Sequence, residues 1–161
     1  MKRILFTLLG LLCSVTLFAQ EFEERFEDVT LRIDYTFSGN ASEQYVALDR
    51  LSATENWWGR RINLTTNPLL GNGDLTLVDK QTNQTIYTTS FSSLFQEWIT
   101  TEEALTNTRS FEFTLLVPMP RNEAVAHLVL RDNTGKESKH SFTINPKDAL
   151  IRDNSGVEPL P

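Results

Sequence analysis

The chain holds only two histidines, His127 and His140. Each falls in the middle of an alternating segment, and a hairpin between those segments would set them on adjacent strands. As a metal pair they lack a third ligand at any telling spacing. The sequence contains no His-Glu-x-x-His and no Cys-x-x-Cys. The structural alternative is that both are sheet side chains, exposed or half-buried. A serine hydrolase needs a nucleophile, a base and an orienting acid, yet no serine sits in a Gly-x-Ser-x-Gly elbow. Gly71-Asn72-Gly73-Asp74 lacks the spacing and the following lysine of a phosphate loop. It reads as a tight turn, where Gly and Asn tolerate positive φ. Twenty-one Asp and Glu residues offer many carboxylate pairs for glycoside cleavage, but abundance singles out none. No catalytic residue, metal ligand or cofactor is assigned.

The run Trp57-Trp58-Gly59-Arg60-Arg61 is the candidate contact surface. Exposed tryptophans offer flat faces for sugar rings, and Trp with Arg commonly anchors protein interfaces. The structural alternative has one or both tryptophans plugging the end of a core, with the arginines capping carbonyls or pairing with acids. Burial discriminates: two buried rings remove the glycan reading, and a coplanar exposed pair strengthens it. Phe91, Leu94, Phe95 and Trp98 read as core at helical spacing, not as a cofactor box. A small independent hydrolase, the third class of function, predicts a concave site where a histidine meets an acid or a hydroxyl.

A chain of 161 residues with 40% hydrophobic content suits one domain. Met1, Lys2 and Arg3 precede a charge-free apolar run from Ile4 to Phe18, which ends at Ala19-Gln20. That layout is expected to be a secretory signal peptide over residues 1–19; a retained membrane anchor is the alternative. The run is shorter than the ~18–20 residues a spanning helix needs. Cys13 lies inside it, so the mature chain is expected to have no cysteine for a disulfide, a nucleophile or a metal. Without Lys2 and Arg3, thirteen basic residues face twenty-one acids, a net charge of −8. Nucleic acid and anionic lipid repel such a surface, so neither is an expected partner, and no membrane association is expected after signal removal.

Val29, Leu31, Ile33, Tyr35 and Phe37 alternate with polar residues, the period of a strand with one buried face. Glu21 to Asp28 precedes it as an ordered arm or first edge. A second strand is expected over Gln44–Leu51. The stretch from Ser52 to Asn72 reads as a loop, long enough to suggest a function or a short strand near Arg61–Leu64. Asp74–Asp79 and Thr85–Phe91 form a hairpin. One or two short helices follow between Ser92 and Leu105, with capping-box patterns at Ser93/Gln96 and Thr100/Glu103. Phe111 to Val117 alternates again and stops at Pro118-Met119-Pro120, and a last hairpin joins Glu123–Arg131 to Glu137–Ile144. Seven strands with a short helical insertion predict an all-β, antiparallel sandwich over residues 22–151, with 152–161 as a linker or tail.

The stretches FEDVTLRIDYTFSGN, WWGRRINLTTNPLLGNGDLTL, TIYTTSFSSLFQEWITTEEA and RSFEFTLLVPMP together resemble the N-terminal domain of the bacterial IgA peptidase family of zinc metallopeptidases, metallopeptidase family sixty-four. The likeness spans nearly all of Phe22–Ile151, and SFSSLFQEW is its most specific block. It implies a β-rich, non-catalytic accessory module whose partner is a metallopeptidase catalytic domain, with protein substrate as a further contact, and the expected signal peptide adds that the module is secreted, to the periplasm, the surface or the medium. In that family the zinc motif lies in the separate catalytic domain, and no zinc ligand carries over to any position here. The likeness leaves three origins open: an N-terminal fragment of a longer peptidase, a truncated gene, or a free-standing relative. The competing function is a secreted glycan-binding module using Trp57 and Trp58.

Overall fold

The computed structural model describes residues 21–67 and 69–154. The signal-peptide reading of residues 1–19 and most of the expected tail lie outside the described residues. Residues 21–25 are helical and bury Phe22, and the chain then enters strand β1 (Phe26–Gly39). The others are β2 (Gln44–Glu55), β3 (Gly73–Asp79), β4 (Thr85–Phe91), β5 (Arg109–Pro120), β6 (Ala124–Arg131), β7 (Glu137–Ile144) and β8 (Arg152–Asp153). They form two four-stranded sheets, ordered β5-β1-β2-β8 and β4-β3-β6-β7. The all-β sandwich expected from the alternation is the fold observed.

The strand count is eight, not seven. β8 lies in the stretch read as a tail and pairs parallel with β2 through Ser52↔Arg152 and Ala53↔Asp153. Two residues carry no period, so nothing in the local sequence announces the pairing. β2 extends to Glu55, four residues into the expected loop, and β5 continues through Pro118 to Pro120. Prolines fit there because β5 is an edge strand, where a missing N–H costs no ladder bond. No strand forms at Arg61–Leu64; turns replace it, and the Leu64 carbonyl accepts from the Thr88 N–H of β4 at 2.9 Å.

β1 organises the core. Leu31, Ile33, Tyr35 and Phe37 are buried, while Arg32 is exposed and Asp34 and Thr36 are half-exposed. Burying each such apolar side chain contributes roughly 1.5–3 kcal/mol. Opposite lie Leu75 and Leu77 of β3 and Ala126, Leu128 and Leu130 of β6, all buried. The β1–β2 hairpin closes at Gly39, whose φ is +141°; a Cβ there would lie 2.0 Å from the Glu43 carbonyl oxygen.

Between β4 and β5 a short helix, Leu94–Trp98, and a 3-10 turn, Glu102–Leu105, cover one end of the sandwich. The first capping pattern is realised. Ser93 Oγ accepts from the Gln96 N–H at 3.3 Å and donates to Gln96 Oε1 at 3.0 Å. The second is not: the 3-10 turn is capped at Thr101 with no side-chain bond, and Thr100 donates its hydroxyl to the Glu97 carbonyl instead. Gln96 is buried, and its Nε2 donates to the carbonyls of Asn72 and Arg131, tying the helix to β3 and β6. Ser93→Ala is expected to cost about 1 kcal/mol, read as a lowered urea midpoint with an unchanged slope.

Candidate functional site

The loop 56–72 between the sheets carries the four predicted contact residues, and it splits them. Trp57 is 6% exposed and Trp58 is 87% exposed. The backbone explains the split: Asn56 takes a left-handed φ of +65°, and the Trp57 N–H donates to Asp28 Oδ1 at 2.8 Å, turning the first ring inward. There it meets Tyr87 edge-on at 6.1 Å, and its Nε1 donates to the Arg60 carbonyl at 3.0 Å. Gly59 passes over the ring so closely that a Cβ would lie 2.1 Å from a ring carbon. The two rings therefore form no paired platform: one belongs to the core and one to the surface.

The arginines hold the loop. Arg60 donates Nη1 to the carbonyls of Asn63 (2.9 Å) and Thr66, and Nη2 to those of Leu64 (3.2 Å) and Thr88. Its guanidinium lies 5.0 Å from the centre of the Tyr87 ring. A planar fork of donors suits this, since one side chain reaches several carbonyls at once, those of Leu64 and Thr88 part-buried. Arg61 pairs with Asp28, donates to the Trp57 carbonyl at 3.1 Å, and lies 4.8 Å above the Phe22 ring. Of the four, Trp58 presents the most surface. Tyr87, Leu64 and Asp28 are the supporting residues that sequence reasoning missed. Asp28 is 29 residues from Trp57, and no local pattern announces that pairing.

Asp28 links the site to pH. The Trp57 backbone N–H, and then Arg61, hold its carboxyl below the ordinary value of 3.8. A folded-state pKa depressed below the unfolded one adds stability that is fully present above pH ~4 and is lost as pH falls through the folded value. Asp28→Asn should therefore show a shallower fall in Tm than the parent chain below pH ~4, with thermal melts across that range as the check.

The histidines are on adjacent strands, as expected, but on opposite faces. His127 of β6 is exposed and its Nδ1 lies 2.7 Å from Ser141 Oγ. His140 of β7 turns inward, edge-on to Tyr35 at 6.4 Å. The His127–Ser141 contact meets the hydroxyl condition of the hydrolase reading, but on an exposed outer sheet face, not in a water-excluding pocket. Burial pushes the Tyr35 hydroxyl far above its usual value, so it stays protonated. Among the described residues, no group of three His, Cys, Asp or Glu is placed to hold a metal ion. No described helix is long and apolar enough to cross a membrane.

Fold and site together define an all-β sandwich module with one exposed tryptophan, Trp58, beside a buried one. The family Peptidase M64 N-terminus matches residues 21–142, which covers seven of the eight strands apart from the last two residues of β7. The chain belongs to that family, and it stands as the accessory N-terminal domain of a peptidase, with a catalytic peptidase domain as its implied partner. Among curated proteins, none matches it.

Proposed function

We propose that this domain is secreted and acts without chemistry of its own, docking on and orienting the catalytic domain of an M64 zinc metallopeptidase of the immunoglobulin A peptidase type. Family membership over residues 21–142 carries the reading. The loop geometry supports it: Trp58 is 87% exposed on a segment clamped by Arg60 and Arg61. A rigid aromatic loses little entropy on contact, which is why such residues dominate interface energetics. Protein substrate is a further contact for the same surface.

The test mixes the chain with an M64 catalytic domain and measures association by calorimetry. Trp58→Ala is expected to weaken it by about tenfold or more, the loss of a typical interface anchor. No measurable association, together with no effect on peptidase turnover, would sink the docking role. The glycan reading rests on Trp58 alone, because Trp57 is in the core. Glycan binding that disappears in Trp58→Ala while peptidase association is absent would replace one reading by the other.

A further inference from the structure

The four sheet edges are not equally protected. β2 is bulged at Asp49, which is skipped between the pairs Asp34↔Arg50 and Tyr35↔Leu48, and β8 covers its far end. The edge of β4 is occupied by the loop, through Thr88 N–H to Leu64 O and Gly71 N–H to Ser90 Oγ. β7 is short and alternates charge at Glu137 and Lys139. Among the described strands, β5 is the one edge that is both long and bare. Among the described residues it pairs with β1 alone, and from Ser110 to Val117 it has no proline, no lysine and no bulge, with Glu112 its one charged side chain.

Beside this edge the sandwich is held apart by aromatic side chains. A cleft of about 200 Å³ is lined by Phe37, Phe95, Phe111 and Phe113, with Leu94 at its rim, 70% exposed. The geometry points to β5 as a strand-addition site for an extended protein segment. Its backbone would pair along Arg109–Leu115, and its inward side chains, apolar, would enter the cleft beside Phe111 and Phe113. Alternate outward positions would lie next to Glu112, which is exposed and, among the described residues, makes no side-chain hydrogen bond or ion pair. The segment that fits is thus apolar at every second residue, with a lysine or arginine across from Glu112. Main-chain bonds supply affinity in such a mode, and the alternating side chains supply selectivity.

The probe is a capped heptapeptide alternating valine and threonine, with one lysine among the outward positions, added to the full chain and followed by amide NMR. Binding should shift and protect amides along Arg109–Leu115. N-methylating alternate peptide amides should abolish binding. Glu112→Lys should weaken it about fivefold or more, and a glutamate in place of the peptide lysine should restore it. Trp58→Ala should leave it unchanged, which separates this site from docking through the 56–72 loop. Equal binding of the N-methylated peptide, indifference to Glu112→Lys, or no binding up to millimolar peptide would overturn the assignment. So would concentration-dependent dimerisation through β5 in sedimentation, which would make a second copy the occupant.

Discussion

Phe37→Ala is expected to lower folding stability by about 3–5 kcal/mol, the range for emptying a buried aromatic site. Phe37 is fully buried near the end of β1 and touches rings from both sheets and the helix. Its ring centre lies 5.1 Å from Phe113, 5.8 Å from Tyr35, 6.2 Å from Phe91 and 6.4 Å from Phe95. Truncation removes one side of four aromatic contacts at once, and strands held by ladders cannot collapse to refill the space. Against a typical domain stability of about 5–15 kcal/mol the loss approaches unfolding. Phe37→Leu keeps most of the apolar volume and should retain more than half of what alanine loses. Urea denaturation followed by tryptophan fluorescence measures both, and a loss below about 1.5 kcal/mol in the alanine variant would show that the cluster is not the keystone of this end.

Arg60→Ala is the second large effect, expected at about 2–4 kcal/mol from hydrogen bonds to a charged donor that leave part-buried carbonyls behind. The four carbonyls belong to Asn63, Leu64, Thr66 and Thr88, so the side chain ties the loop to itself and to β4. Without it the Leu64–Thr88 backbone bond loses its brace and Trp57 loses the turn that holds its indole N–H. Arg60→Lys should recover little, because a single ammonium cannot span four acceptors in one plane. The diagnostic is local: hydrogen exchange should quicken at Thr88 and Trp57 before it changes in β3 or β6. Uniform acceleration would mean that Arg60 acts on the whole sandwich and not as a clamp on the loop.

Both effects depend on residues whose environments were unequally visible in advance. Phe37 was the last of five alternating apolar positions, and its burial follows from period two alone. Arg60 is legible only as half of a basic pair beside two tryptophans, a pattern that admits both contact and the capping of carbonyls. What separates the cases is range. A strand's inward face repeats along the chain, so local pattern exposes it. The acceptors of Arg60 include Thr88, 28 residues away, and the anchor of Trp57 is Asp28. β8, two residues long, is likewise placed by its partner, and the second capping pattern loses to a hydroxyl bond with the Glu97 carbonyl.

The all-β class, the seven longer strands, the Ser93 cap and the inward set of β1 from Leu31 to Phe37 are legible in the residue order, because these rest on contacts between near neighbours and on the free energy of hiding alternate apolar side chains from water; at the start of the strand the alternation fails, with Thr30 buried and Val29 half-buried. Which tryptophan faces solvent, what the arginines hold and which edge stays bare are set instead by the folded chain. Those outcomes depend on where strands distant in sequence come together, and a backbone turn at Asn56 was enough to send two identical neighbouring side chains to opposite fates.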